Sequence, residues 1–124
     1  MSLDHVQNVL VVEDESLLAL DLECALEELG WEIAGSLGGV AQALNWLKAR
    51  ERPPTAAVLD VNLGGEMVFP VAEALAARNV PFVFATGYSD VVNRSGFSGR
   101  PTLAKPVDRD ALKRALDALL APNQ

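Results

Sequence analysis

The residues best suited to chemistry in this sequence stand at the ends of apolar runs. Glu13 and Asp14 follow NVLVV, Asp60 ends AAVLD, Thr86 ends PFVFAT, and Lys105 follows PTLA. Carboxylates gathered around a divalent cation, together with a hydroxyl and a lysine ammonium, are the groups that phosphoryl transfer to an aspartate requires. The pattern therefore predicts a phosphoryl-transfer site, on the condition that the fold brings these five side chains together.

Three of these side chains are carboxylates, which repel one another unless a cation lies among them. Hard oxygen donors of this kind suit Mg²⁺ in an octahedral, partly hydrated site. The sequence predicts Glu13, Asp14 and Asp60 as metal ligands, and Asn62, two residues beyond Asp60, offers its backbone carbonyl to the same ion. Mg²⁺ is thus the expected cofactor.

Asp60 is the predicted phosphoacceptor. One of its carboxylate oxygens would attack phosphorus in line, while the metal and Lys105 offset the charge on the equatorial oxygens. Thr86 supplies the hydroxyl at the neighbouring strand end. Gly64 and Gly65 allow the backbone to turn closely around a phosphoryl group, because neither carries a side chain.

Apolar, β-branched runs alternate along the chain with amphipathic stretches of helical period. The first strand is predicted within NVLVVEDE, where four apolar residues are continuous, as in a strand buried on both faces. The other predicted strands are residues 31–36, 56–60, 80–87 and the short PTLAKP.

The predicted helices follow from apolar stripes and from cap residues. Pro70 is tolerable in the third helix only because it falls in the first turn. The segment 88–99 is at best a weak helix, because its glycines and serines oppose one. The others are a four-turn helix with the stripe Leu18, Leu22, Ala25, Leu26 and Leu29 before Gly30, a second from Val40 that stops before Pro53, a third from Val68 to Arg78, and a last helix capped by Asp108.

Five alternations of strand and helix predict an α/β fold, a doubly wound parallel sheet of five strands with helices on both faces. The length of 124 residues fits a single domain over residues 1–124. In such a sheet ligands bind at the carboxyl ends of the strands. The five strand-end side chains are therefore expected to meet at one edge.

Composition narrows the function classes. The net charge of −7 and the absence of a Lys or Arg run argue against direct binding of nucleic acid. Cys24 is the single cysteine, so neither an internal disulfide nor a usual zinc spacing is available. No apolar stretch approaches the ~20 residues that span a bilayer. We expect a cytoplasmic protein without a membrane partner.

Taken together, these residues resemble the receiver domains of bacterial two-component response regulators. The acidic pair Glu13 and Asp14, the phosphorylated Asp60, the switch hydroxyl Thr86 and the pair Lys105-Pro106 occur in the family's order and spacing. The resemblance covers essentially the whole chain. It implies the flavodoxin-like (βα)₅ fold with strand order 2-1-3-4-5, Mg²⁺ dependence, and phosphate received from a histidine kinase or a histidine phosphotransfer protein.

A narrower likeness lies in PFVFATGY, residues 81–88, which resembles the PFxFATG[GY] signature of the FAT GUY receivers. Those receivers often stand alone, or are attached to a sigma-factor-like domain in general stress signalling. The chain departs from the commoner receiver pattern at Thr102, where many receivers carry a switching Tyr or Phe. Tyr88 and Phe97 are the candidates to replace that aromatic residue.

The resulting hypothesis is a phosphorylation-controlled signalling module. The phosphoryl group on Asp60 would draw Thr86 and Lys105 inward and shift the weak fourth helix, residues 88–99, to control a downstream protein partner. No output domain is indicated, and whether phosphorylation drives homodimer formation stays open.

Two other readings are weighed against this hypothesis. A Mg²⁺-dependent hydrolase with an aspartyl-phosphate intermediate commonly has a second aspartate where this chain has Asn62, and it has a cap domain that is missing here. A degenerate receiver that binds partners without phosphate is disfavoured by the intact set of site residues. Each residue alone also has a simple explanation, as a strand end, a helix cap or a surface charge.

Overall fold

The computed structural model describes residues 7–87, 96–97 and 100–120, and these residues form an α/β fold around one parallel sheet. In chain order the elements are β1 (Asn8–Val12), α1 (Ser16–Glu28), β2 (Glu32–Leu37), α2 (Val40–Lys48), β3 (Ala56–Asp60), β4 (Asn62–Leu63), β5 (Glu66–Met67), α3 (Phe69–Ala77), β6 (Phe82–Thr86), β7 (Thr102–Ala104) and α4 (Arg109–Leu120).

The five-stranded sheet has the order β2-β1-β3-β6-β7, with every neighbouring pair parallel. Counting only the strands of this sheet, the order is 2-1-3-4-5, which confirms the predicted fold class. The strand order reverses between β1 and β3, so the carboxyl ends of these two strands flank the crevice where ligands bind in such sheets.

The sheet is covered on both faces, and this explains the continuous apolar runs of its central strands. All five residues of β3 and of β6 are buried. Alternate side chains of each strand enter opposite cores. One core packs α2 and α3 against residues such as Leu10, Leu59 and Phe84, and the other packs α1 and α4 against Val11, Val58 and Val83.

The predicted cap residues hold the helix ends as expected. Asp108 Oδ2 accepts a hydrogen bond of 2.9 Å from the backbone N–H of Ala111 at the start of α4. Gly30 follows α1 with a φ of +95°, a conformation that favours glycine. Pro70 lies in the first turn of α3, where its missing N–H costs no helical hydrogen bond.

The structure adds one element that the sequence analysis lacks and moves several boundaries by one or two residues. The added element is the short antiparallel hairpin β4–β5, directly after Asp60. The predicted strand 80–87 is shorter, over Phe82–Thr86, and α3 begins at Phe69. Most of the weak helix predicted over 88–99, including Tyr88, lies outside the described residues.

None of the helices in the described part of the chain combines the length and the apolar character needed to cross a membrane.

Candidate functional site

The acidic pair is positioned by the end of β1. Glu13 continues the ladder with β2, because its backbone N–H donates to the carbonyl of Leu37 at 2.9 Å. Its side chain is buried, and Glu13 Oε2 accepts a hydrogen bond from the backbone N–H of Glu15 at 3.1 Å. Asp14, the next residue, is exposed. One carboxylate of the pair is thus fixed within the edge of the sheet, and the other faces outward.

Asp60 is the last residue of β3 and is only 7% exposed. Glu13, Asp14 and Asp60 each offer a carboxylate oxygen, and these oxygens all lie within 4.8 Å of one another. The parallel pairing of β1 with β3 causes this approach, because it sets the two strand ends side by side. The structure therefore brings the three predicted carboxylates into one cluster.

Lys105 enters the same cluster from the end of β7. Its ammonium nitrogen lies 2.8 Å from Glu13 Oε1 and 2.9 Å from Asp60 Oδ1. The backbone also ties this residue to the neighbouring strand, since the Lys105 N–H donates to the Thr86 carbonyl at 3.1 Å. A single ammonium thus bridges the two buried carboxylates.

Burial and neighbouring charges shift the pKa values of both Asp60 and Lys105. Burial raises the pKa of Asp60 to about 6, and the nearby charge of Glu13 adds to the rise, while the hydrogen bond from Lys105 opposes it. Burial alone would lower the pKa of Lys105, but its hydrogen bonds with Glu13 and Asp60 outweigh burial and raise it. Near neutral pH the site therefore holds an ionised Asp60 beside a charged lysine.

Thr86 is the last residue of β6, the strand between β3 and β7, and it is buried. Asp60 pairs with Ala85 across the ladder, so Thr86 stands one residue further along the same edge. On its other side Thr86 is in register with Ala104, the residue before Lys105. The predicted hydroxyl is therefore on the edge that carries the carboxylates and the lysine.

Asn62 lies on β4, within the hairpin, and its side chain is exposed. Its Oδ1 accepts a hydrogen bond of 2.7 Å from the backbone N–H of Gly65, across the turn. The turn reaches the acidic cluster, because a Cβ on Gly64 would lie 3.7 Å from Asp14 Oδ2. Asn62 is therefore beside the cluster, with its side chain engaged in holding the turn.

The donor set fits the predicted magnesium ion. Three carboxylates supply hard oxygen atoms within reach of one centre, and one lysine does not neutralise all of them. Asp14 is the exposed member of the set, so an ion could retain water on that side. The residues that would hold the ion are Glu13, Asp14 and Asp60, while the Asn62 carbonyl stays a predicted ligand.

Four phenylalanines, at positions 69, 82, 84 and 97, form an aromatic cluster. Phe97 stacks on Phe69 with ring centroids 6.0 Å apart and meets Phe82 and Phe84 edge-on at 5.9 Å. The hydroxyl of Thr102 donates to the carbonyl of Arg100 at 3.3 Å. Of the two candidates for an aromatic readout, Phe97 thus contacts β6, the strand that ends in Thr86.

A surface feature near the site was missed by the sequence analysis. Leu17 and Leu20 on α1 are 78% and 55% exposed, and both fall outside the predicted apolar stripe. Leu18, which was predicted to pack in the core, is 37% exposed in the first turn of the helix. It borders a groove of about 570 Å³ between α1 and α4, and Glu13 and Lys105 line the same groove. The sequence did contain a signal for this surface, because three leucines fall within four consecutive residues and a helix can bury only some of them.

No protein-family model matches the chain. Among curated proteins it is similar to the acid tolerance regulatory protein ActR of Sinorhizobium medicae, with 34% identity over 118 residues, 89% of this chain and 58% of ActR. The chain therefore spans less than two thirds of the length of that relative.

Solved structures give more complete matches. The solution structure of SdrG from Sphingomonas melonis Fr1 is 49% identical, covers 98% of this chain and is itself covered completely, with a TM-score of 0.80. The BeF3-activated conformation of SdrG matches with a TM-score of 0.76 over 92% of this chain and 96% of that one. The signal receiver domain of a modulated diguanylate cyclase from Desulfovibrio desulfuricans G20 is 30% identical over 93% of this chain and 94% of that domain, with a TM-score of 0.80.

Proposed function

The chain belongs to the receiver domains of two-component response regulators, and we propose that it accepts a phosphoryl group on Asp60 and passes the signal to a protein partner. The observation that carries the proposal is the position of Lys105, whose ammonium lies 2.8 Å from Glu13 and 2.9 Å from Asp60 in a cluster with Asp14. We take residues 1–124 as one receiver domain.

In the proposed transfer, an ionised oxygen of Asp60 forms a bond to phosphorus as the bond between phosphorus and the donor breaks. A pKa of about 6 leaves Asp60 mainly ionised at neutral pH and therefore nucleophilic. Lys105 holds Asp60 through Oδ1 and keeps a positive charge where the phosphoryl oxygens would arrive. When bound, Mg²⁺ would offset further negative charge on the phosphoryl group.

The proposed output begins at Thr86 and Lys105. A phosphoryl group adds roughly −1.5 to −2 charge, and hydrogen bonds to charged groups contribute about 1.5–3 kcal/mol each. Two such bonds would bias the backbone beyond Thr86 and hence the segment 88–99. Phe97 supports this route because it packs against Phe82 and Phe84 on the strand that ends in Thr86.

A labelling experiment tests the acceptor. The wild-type protein is incubated with acetyl phosphate and Mg²⁺, and intact-protein mass spectrometry measures the addition of a phosphoryl group. We expect Asp60→Asn to lose the label and Asp110→Asn, at an aspartate on α4, to keep it. Release of the label by hydroxylamine identifies an acyl phosphate. Labelling of Asp60→Asn at the wild-type rate would show that the acceptor is wrong.

The same protein preparation can distinguish acceptance of the phosphoryl group from the conformational response to it. Thr86→Ala should still be labelled, while the spectral changes that beryllofluoride and Mg²⁺ induce in the wild-type protein become smaller. Failure of beryllofluoride to change the wild-type spectrum would favour a receiver that works without phosphate. Turnover of small phosphate esters would instead favour the hydrolase, although Asn62 at the general-acid position is an amide already bonded to Gly65.

A histidine kinase or a histidine phosphotransfer protein is the proposed phosphodonor. The exposed Leu17 and Leu20 support a docking surface at the start of α1, beside the groove that ends at Glu13 and Lys105. An apolar surface at this place suits a partner helix that brings a phosphohistidine to Asp60. The downstream target would respond to the segment 88–99, through which the signal is proposed to pass.

This surface can be tested without disturbing the site. Candidate phosphorylated histidine proteins are screened, and the one that labels the wild-type protein fastest is retained as donor. Leu17→Glu should slow transfer from this protein at least tenfold and leave labelling by acetyl phosphate unchanged. Ala77→Glu, an exposed position on α3, is the control. If Leu17→Glu slowed labelling by the histidine protein and by acetyl phosphate equally, the defect would lie in the site rather than in docking.

A further inference from the structure

The hairpin that follows Asp60 is an ordered element of the described structure. Asn62 pairs with Met67 and Leu63 pairs with Glu66, and the Val68 N–H donates to the Val61 carbonyl at 2.9 Å. Leu63 anchors the hairpin, because its side chain is buried in the core beneath α2 and α3. The connection from β3 to α3 therefore has a fixed base and a two-residue turn at its tip.

The tip is held by a side chain. Gly64 and Gly65 have φ values of +65° and +98°, a region that glycine enters without steric cost. Asn62 Oδ1 accepts the Gly65 N–H at 2.7 Å, a short bond that spans the turn. The side chain of Asn62 thus fixes the same loop to which its own backbone belongs.

The tip also sets the room around the acidic cluster. A Cβ on Gly64 would lie 3.7 Å from Asp14 Oδ2, which is van der Waals distance. Asp14 is the exposed carboxylate of the three, so the turn flanks the cluster at its solvent-exposed side. A change in the turn would alter the position of the Asn62 carbonyl and the space beside Asp14 together.

We infer that the Asn62 side chain is a positioning residue for the cation site, acting through the Gly65 N–H and the hairpin rather than by contact with the ion. This inference rests on the proposed function, because it concerns the site proposed to hold Mg²⁺. It assigns separate roles to the two parts of one residue. In this inference the backbone carbonyl would be offered to the ion, while the side-chain oxygen holds the turn through the Gly65 N–H.

The test compares variants of the unphosphorylated protein. Mg²⁺ affinity is measured by titration with NMR detection at constant ionic strength, and hydrogen exchange of the Gly65 amide reports the turn bond directly. Asn62→Ala should speed exchange at Gly65 and weaken Mg²⁺ binding roughly two- to tenfold, the range that corresponds to the loss of one hydrogen bond. Asn62→Ser should restore part of both, because a serine hydroxyl closes such turns more weakly.

Met67→Ala is the matched control. It alters the residue paired with Asn62 in the hairpin and leaves the Asn62–Gly65 bond in place, so Mg²⁺ affinity should stay within about twofold of the wild type. Faster exchange at Gly65 with unchanged Mg²⁺ affinity in Asn62→Ala would overturn the inference, and so would unchanged exchange. Absence of Mg²⁺ binding in the wild type would instead refute the metal site itself, and the inference with it.

Discussion

At the level of single residues, the site concentrates negative charge in a place that solvates it poorly. Glu13 and Asp60 are both buried, and Lys105 is the cation that bridges them, with its side chain 26% exposed. A carboxylate in such surroundings gives up hydration that one ammonium only partly replaces. The ionised form of Asp60 is therefore disfavoured, as its raised pKa indicates, and a further cation would offset this cost.

The raised pKa of Asp60 predicts a stability change in metal-free protein. Because the folded state holds the proton up to a pH of about 6 and the unfolded state only to about 3.8, the folded state binds more protons between these values. The free energy of unfolding should therefore fall as pH rises through this window. Asp60→Asn should be more stable than the wild type at pH 7, by on the order of 1–3 kcal/mol, and the difference should vanish near pH 4.

Urea denaturation in the presence of EDTA at several pH values measures this difference. Asp110→Asn, at an exposed position on α4, controls for the loss of one negative charge from a chain with a net charge of −7. A constant difference between Asp60→Asn and the wild type from pH 4 to pH 8 would contradict the pKa assigned to Asp60.

At the level of elements, one side chain at the end of α3 links this helix to the end of α2 by hydrogen bonds, in addition to their shared apolar core. Arg78 donates to the carbonyl of Leu47 at 2.8 Å and to those of Arg50 and Glu51 at 3.0 Å. These carbonyls lie at and beyond the C-terminal end of α2, where a cation is favourable. The Leu47 carbonyl also accepts the Arg50 N–H at 3.2 Å, so the side chain of Arg78 adds a second, charged donor there. Arg78 thus caps one helix from another and fixes the loop that leads into β3.

Arg78→Met should therefore destabilise the protein by about 1–3 kcal/mol, because it removes three charge-assisted hydrogen bonds from carbonyl groups. Arg78→Lys should restore only part, since an ammonium cannot reproduce the planar fork of donors. Arg114→Met, on the exposed surface of α4, should change the stability by less than about 0.5 kcal/mol. Urea denaturation measures all three, and equal effects of Arg78→Met and Arg114→Met would refute the capping role.

The sequence predicted the long elements and missed the short ones, for physical reasons. Continuous apolar runs and helical stripes reveal β3 and α4, because each buries a face along its whole length. The hairpin β4–β5 has two residues per strand, too few for an alternating pattern, although Gly64-Gly65 is itself a known hairpin signal. Leu18 was misplaced because periodicity assigns a stripe to the core without knowing that the first turn of α1 is exposed.

The meeting of the predicted side chains at one edge could be predicted from the sequence, while their distances and their hydrogen bonds could not. Strand ends in a parallel sheet share an edge, so the meeting of Glu13, Asp60 and Lys105 followed from topology alone. The bridging position of Lys105 depends on the direction of one flexible side chain. The glycine pair predicted a close turn, but the hydrogen bond from Gly65 to Asn62 depends on the geometry of a hairpin that the sequence pattern did not reveal.

At the level of the whole molecule, the site lies at the carboxyl edge of the sheet, whose strands contribute to both hydrophobic cores. β1 and β3 send alternate side chains to each core; Glu13 directly follows β1, and Asp60 ends β3. Any ligand that ties these strand ends together therefore stabilises the folded state of the whole domain, because the unfolded chain does not hold the carboxylates near one another.

Magnesium should accordingly raise the thermal stability of the intact domain. A ligand that binds only the folded state at 100 times its dissociation constant contributes about 2.7 kcal/mol, which for a domain of this size corresponds to roughly 10 °C in Tm. Thermal unfolding is followed with MgCl₂ and with NaCl of equal ionic strength, because general screening of the negative charge also stabilises the fold.

Asp14→Asn should lose much of the magnesium-specific shift, since it removes one carboxylate ligand from the cluster without touching the pair between Lys105 and Asp60. A shift no larger in MgCl₂ than in matched NaCl would mean that the cluster holds its charge through Lys105 alone.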